Sequence, residues 1–283
     1  MSGCSKDLFQ LICSQCDLQE LTKALQETGL SETLSDLDFT TVFAPTNRAF
    51  KTFGGGSTCG TLTEILLYHV VDDKLKPCSL QNDTVYPTLR EGENIRINVY
   101  EKPLFRDAVT VNGVEVLDYV KSGDNILYKI DKVLCPPAGT VWELAQSTPD
   151  LSILAAAVET AGLVDALNDP SANLTVFAPT NSAFEDLLAE TGLTLEQLLA
   201  SPSLSAVLLY HVLGQTVFSA ALKRGLTPYL LTLEGKTLDI CNKYCKVLVI
   251  DQLDRKSKIV AKDVLAVNGV VHVVDKVLLP FSL

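Results

Sequence analysis

Two tandem α+β domains, each a β-sandwich or wedge with packed helices, are the fold class the sequence predicts. Three observations carry that prediction. The chain has 283 residues, of which 47% are hydrophobic. A typical domain holds roughly 100–200 residues, so two fit, and the apolar share is too high for a disordered chain. An internal repeat is the second observation. The third is that each copy alternates helical and strand periodicities.

The repeat has three blocks in the same order. Thr41-Val42-Phe43-Ala44-Pro45-Thr46-Asn47-Arg48-Ala49-Phe50 returns as Thr175-Val176-Phe177-Ala178-Pro179-Thr180-Asn181-Ser182-Ala183-Phe184. Leu67-Tyr68-His69-Val70 returns as Leu209-Tyr210-His211-Val212, and Asp131-Lys132-Val133-Leu134 as Asp275-Lys276-Val277-Leu278. So long a period describes whole duplicated domains, not a solenoid.

Each copy opens on a helix. Leu18, Leu21 and Leu25 share one face and Gly29 ends the pattern; Leu151, Leu154, Val158 and Gly162 repeat it. The runs 41–43 and 175–177 read as buried strands. A proline follows each and should end its ladder, with Thr46 and Thr180 capping the next helical turn.

Next comes the Tyr-His helix. Thr61 and Glu64 form a capping box at its start in the first copy, and Ser201 followed by Pro202 serves as N-cap and first helical residue in the second. Leu62, Ile65, Leu66 and His69 share a face, as do Leu204, Val207, Leu208 and His211. Both histidines are therefore expected to be buried and hydrogen-bonded. Ile95, Ile97 and Val99 alternate as a strand, 237–250 reads as a hairpin turning through Asn242-Lys243-Tyr244, and 126–134 and 270–279 close the copies as β-rich runs. Cys135-Pro136-Pro137-Ala138-Gly139 forms a short stiff linker and Thr140-x-x-Glu143 a capping box after it, giving domains 1–137 and 138–283.

Charge and cysteines bound the function. The net charge is −11, spread as −6 (13 basic, 19 acidic) over 1–137 and −5 (10 basic, 15 acidic) over 138–283. Such a polyanion disfavours nucleic acid and anionic membrane surfaces as partners. No uncharged apolar run reaches the roughly 18–20 residues of a membrane span. Met1-Ser2-Gly3-Cys4 runs straight into a helical pattern, reads as the start of a mature fragment, and leaves export open.

Cys4, Cys13, Cys16, Cys59, Cys78 and Cys135 lie in the first half, Cys241 and Cys245 in the second. Even counts in each half favour disulfides closed within each domain. Zinc needs two close ligand pairs and only Cys13-x-x-Cys16 qualifies; reduced core thiols are the remaining reading. Cys241 and Cys245 flank the expected three-residue turn, so they are expected to face each other across the hairpin and bond. Asn82-Asp83-Thr84 and Asn173-Leu174-Thr175 are glycosylation sequons, which with the cysteines favour a secreted protein.

The T-V-F-A-P-T-N-x-A-F block, the Tyr-His pair and the closing run Asn268 to Pro280 together resemble the fasciclin domain family, over nearly the whole chain. The first copy departs from the closing pattern at Asp124-Asn125-Ile126-Leu127-Tyr128. The resemblance implies secreted or surface-anchored proteins that mediate cell–cell or cell–matrix adhesion. Its two-domain layout and cysteine-rich first domain are closest to the family's algal adhesion molecules. The implied partner is an extracellular protein or glycan, with a second copy of the chain among the candidates. In animal members, integrin binding is attributed to the Tyr-His region and to an Asp-Ile pair. Carried over, these are Tyr68, His69, Tyr210, His211 and Asp263-Val264, with Asp118-Tyr119 as the first-domain counterpart of the last pair.

Enzymatic chemistry is not expected. His69, His211 and His272 must supply any imidazole base, and two of them sit at equivalent apolar helix positions. No G-x-S-x-G elbow, H-E-x-x-H helix or phosphate loop occurs. No cofactor and no resident metal are expected. The alternative function is carriage of an apolar small ligand such as a carotenoid, in a cleft between helices and sheet.

Overall fold

A computed structural model describes residues 7–37, 39–53, 59–100, 108–224, 230–243 and 246–282. The chain divides into two compact units, Met1–Pro136 and Pro137–Leu283. Cys4, Cys245 and Tyr244 lie outside the described residues.

In the first unit, α1 (Leu8–Cys13), α2 (Gln19–Glu27) and α3 (Leu30–Ser35) precede β1 (Thr41–Pro45). Then follow α4 (Asn47–Phe53), α5 (Leu62–Tyr68), β2 (Val70–Val71), β3 (Thr84–Pro87), β4 (Asn94–Tyr100), β5 (Ala108–Val111), β6 (Val114–Ser122) and β7 (Asn125–Ile130). The second unit repeats the plan. Its helices before the sheet are α6 (Val141–Ser147), α7 (Ser152–Thr160) and α8 (Val164–Asn168), leading into β8 (Leu174–Pro179). Next come α9 (Asn181–Thr191), α10 (Leu195–Leu199), α11 (Leu204–Tyr210), β9 (Val212–Leu213) and α12 (Ser219–Arg224). It ends in β10 (Leu230–Leu231), β11 (Thr237–Lys243), β12 (Lys246–Ile250), β13 (Lys256–Ala266) and β14 (Gly269–Val274).

Each unit holds one seven-stranded sheet, ordered β2-β1-β7-β6-β5-β4-β3 and β10-β11-β12-β13-β14-β8-β9. β1 with β7 and β8 with β14 run parallel; the other pairs are antiparallel. The two ends of each sheet also meet. Leu89 N–H, just beyond β3, donates to Val70 O of β2, and Leu233 N–H, just beyond β10, donates to Val212 O of β9. The sandwich or wedge is thus a nearly closed sheet with helices around it, which leaves little unpaired edge.

Period-two alternation sorts the core. Phe43, Ile126, Tyr128 and Ile130 pack inside the closing sheet, while Val42, Ala44 and Leu127 pack against α1 and α2. β1 is buried along its whole length, as a parallel strand covered on both faces must be.

Local signals hold at most ends. Thr61–Glu64 and Thr140–Glu143 are capping boxes, and Gly29 and Gly162 are left-handed at φ 72° and 69°. Thr46 and Thr180 accept from Ala49 N–H and Ala183 N–H.

Three expectations are corrected. Pro45 and Pro179 remain inside their strands as last residues, paired with Ile130 and Val274. The cap of α11 is Ser203, because Ser201 closes its own turn, accepting from Ser203 N–H and, through its carbonyl, from Leu204 N–H. Asn242 and Lys243 belong to β11 and pair with Val247 and Lys246 instead of forming the turn, and Tyr244 lies outside the described residues.

The cysteine framework is corrected with them. Cys59 and Cys135 form a disulfide across 76 residues. Cys13, Cys16 and Cys78 are exposed free thiols, so the six first-domain cysteines do not all pair within the domain. Cys241 is also free, and the hairpin register sets it opposite Leu248 instead of Cys245.

Candidate functional site

The Tyr-His pair of each domain caps its helix from inside. His69 is 1% exposed and His211 2%. His69 Nδ1 lies 2.7 Å from Ile65 O and its Nε2 accepts from Leu134 N–H at 2.9 Å. His211 repeats this with Val207 O at 2.8 Å and Leu278 N–H at 2.8 Å. Since Nε2 must accept, Nδ1 carries the proton in both rings. Burial pushes each imidazole down to about 4. Each ring thereby ties the end of its helix to the strand-like segment after the last strand, which explains why the Tyr-His and Asp-Lys-Val-Leu blocks occur together.

The tyrosines are equally enclosed. Tyr68 donates to Asn94 O at 2.9 Å and accepts from Asn112 Nδ2 at 2.9 Å; Tyr210 donates to Thr237 O at 3.0 Å. Burial raises the pKa of both phenols, that of Tyr210 to about 12. All four side chains, Tyr68, His69, Tyr210 and His211, are thus withdrawn from the surface.

Asp263 occupies a register irregularity in β13, between the pairs Ala261–Val273 and Val264–Val271, with φ 56°. Aspartate tolerates this left-handed backbone better than a branched residue would. Its N–H donates to His272 Nδ1 at 3.2 Å, and His272 Nε2 donates to Val217 O at 2.9 Å. The Asp263 carboxylate accepts from Ser219 N–H at 2.7 Å and from the Ser219 hydroxyl. Both carboxylate oxygens are thus engaged at the start of α12. Burial lowers the His272 pKa, opposed by the Asp263 charge. Val264 beside it is 37% exposed.

The register also corrects the first-domain counterpart. Val42 pairs with Leu127 and Val176 with Val271, so Leu127 and Val271 are equivalent. Leu127 pairs with Val120 and Val271 with Val264. Tyr119, not Asp118, therefore stands where Asp263 stands. It packs on Tyr128, the equivalent of His272, with ring centroids 6.0 Å apart. Tyr119 and Asp263 each stand six residues before the first residue of the next strand, Asn125 and Gly269.

These equivalent strands each carry exposed large apolar side chains, although not at equivalent positions. On β6, Leu117 is 56% and Tyr119 39% exposed; on β13 and its turn, Val260 is 49%, Val264 37% and Val267 53%. Apart from the Val264 of the Asp-Val pair and Tyr119, sequence reading missed these positions, although a strand with exposed large aliphatics is a readable signal.

Among other residues the sequence singled out, Asn82 is exposed and its Oδ1 accepts from Val99 N–H at 3.1 Å. In the second sequon Thr175 is buried, its hydroxyl donating to Gln215 O and accepting from Val217 N–H. Asn268 opens the closing run of the second copy. It is 1% exposed, accepts from Val141 N–H and donates to Leu167 O and Asp169 O, joining α6, α8 and the sheet. Among the described residues, no group of three or more His, Cys, Asp or Glu is placed to hold a metal, and no helix is long and apolar enough to cross a membrane.

Comparison with known proteins adds the lineage. A family model described as Fasciclin domain matches residues 16–136 and 149–280. Transforming growth factor-beta-induced protein ig-h3 from Sus scrofa is 31% identical over 98% of this chain. Periostin from Homo sapiens is 28% identical over 86% of the chain, and Fasciclin-1 from Schistocerca americana 26% over 54%. The chain spans 38% of the length of the pig relative and 28% of periostin. Among solved structures, a domain pair from the insect cell adhesion molecule fasciclin I aligns with TM-score 0.49 and 19% identity, covering 93% of this chain and 97% of that one.

Proposed function

The chain belongs to the fasciclin domain family, and from that membership we propose that it is an extracellular adhesion module, not a catalyst, that binds a protein partner through β6 and β13. The observation that carries this reading is that β6 and β13, equivalent strands of the two domains, both expose large apolar side chains, Leu117 and Tyr119 on the first and Val260, Val264 and, at its turn, Val267 on the second. Large apolar side chains left exposed on both equivalent strands are candidates for burial against a partner. Val264 contributes to the contact directly. Asp263 contributes by holding the bulge that presents it, since its carboxylate is engaged by Ser219.

Two similar surfaces on one chain engage two partners, or one partner twice, and paired weak sites gain through effective concentration. The net charge of −11 favours basic or calcium-bridged partners. Asn82, exposed and on neither β6 nor β13, carries the glycan in this reading.

The test is binding of the full chain to cells and to purified matrix. Leu117→Lys blocks the first surface, Val264→Lys the second, and a double variant both. Each single variant should bind more weakly than the native chain and the double variant should not bind, with circular dichroism unchanged. Native binding by the double variant would reject these strands as the surface.

A further inference from the structure

An apolar cavity of about 50 Å³ lies in the second domain between α6, α7, α8, α11 and the sheet. That is roughly four times the space one water needs, yet a site offering no hydrogen bonds stays dry and takes up small hydrocarbons instead. His211 is the one polar side chain in its lining. Both ring nitrogens are engaged, with Val207 O and with Leu278 N–H, so the wall holds no free donor or acceptor from this ring.

The duplication explains why the space exists. Val141 and Ala145 are the first and fifth residues of α6 after its cap Thr140; Leu8 and Ile12 hold the same places in α1 after Asp7. Val158 stands four residues before left-handed Gly162, as Leu25 stands before Gly29. Val271 is the equivalent of Leu127 by ladder register. All four first-domain residues lie together in one buried cluster. The second domain thus lacks one carbon at each of the three Leu-to-Val positions and three at the Ile-to-Ala position, six in all. Ala166 and Leu174 stand where Thr33 and Thr40 stand in the first domain and change the lining in opposite directions.

Missing core volume of this kind normally destabilises a domain unless something fills it. The cavity also has a way in. Of its lining residues, Leu233 is 50% exposed, Ala166 is exposed, and Leu163 and Leu209 are partly buried.

We propose that this cavity is a binding site for one small, uncharged apolar molecule, or apolar group of a larger one, of the size of a monocyclic hydrocarbon. Its walls supply dispersion contacts and exclude water. A charged or hydrogen-bonding group entering it would find no partner, so such groups stay at the mouth beside Leu233. The site is independent of the β6 and β13 surface, and its occupation requires no adhesive activity.

The test uses toluene with the full-length chain, followed by ¹³C methyl spectra and thermal melting. The expected result is saturable shifts at the methyls of Val141, Val158 and Val271 and a raised melting temperature for the second domain. Ala145→Ile restores the first domain's residue and should abolish both effects; Val158→Leu serves the same purpose if the isoleucine is not accommodated. Absence of saturable shifts in the native chain would overturn the proposal, as would undiminished toluene binding in a folded filled variant.

Discussion

Replacing His211 with alanine removes two buried hydrogen bonds and a ring at once. Leu278 is 1% exposed, so its N–H loses its acceptor with no water to replace it, which costs about 1–3 kcal/mol. Truncating a large buried side chain adds about 2–4 kcal/mol, and little collapse can offset it because His211 already borders a cavity. The sum, about 3–7 kcal/mol, is a large part of the roughly 5–15 kcal/mol that stabilises a typical domain. Trp142 is the sole tryptophan and is 7% exposed in the second domain's core, so urea unfolding followed by its emission reads that domain. The midpoint should fall steeply at pH 7. Acid provides the second reading. Unfolded histidine takes up its proton near pH 6.5 and folded His211 near 4, so the unfolded state binds more protons between them. Stability from this group is full above about pH 6.5 and is lost as pH falls through about 4, by about 3 kcal/mol. His211→Ala should therefore show a shallower loss over that window than the native chain. An unchanged midpoint combined with lost partner binding would refute the reasoning and make His211 a contact residue.

Other perturbations test other parts of the fold. Cys59→Ser opens a bridge across 76 residues and should cost about 4 kcal/mol in the first domain, read by circular dichroism in urea without reductant. Gly269→Ala would set a Cβ 2.0 Å from Leu174 O in the parallel ladder at φ 152°, so the variant should unfold in its second domain or fail to accumulate as folded protein. Asp263→Ala removes the acceptor of Ser219 N–H and should cost about 1.5–3 kcal/mol by the Trp142 assay, with a weakened surface at Val264.

Much of the fold was legible because its signals are local. A threonine three residues before a glutamate at 61 and 140, or a glycine after an apolar stripe at 29 and 162, acts within one turn, and the structure shows each. The duplicated Tyr-His blocks foretold buried, hydrogen-bonded histidines, since a polar ring on an apolar face must find a partner. Longer-range facts were not legible. Cysteine parity does not specify pairing, and only Cys59 and Cys135 come together among the described cysteines. Hairpin register depends on how Lys243 and Lys246 pair, which turn residues alone did not reveal. The match of Asp118 to Asp263 failed because it follows residue type; the ladders pair Val120 with Leu127 and Val264 with Val271, which makes Tyr119 the positional equivalent of Asp263. The cavity was hidden for a related reason: Ala145 and Val158 look like ordinary core residues until ladder and cap positions align them with Ile12 and Leu25.

Adhesion itself is tested most directly by cell aggregation in the presence and absence of the purified full-length chain. The native chain should cluster the cells, and the double variant Leu117→Lys with Val264→Lys, folded by circular dichroism, should leave them dispersed. Cells that stay dispersed with the native chain, or that cluster equally with the double variant, would contradict it.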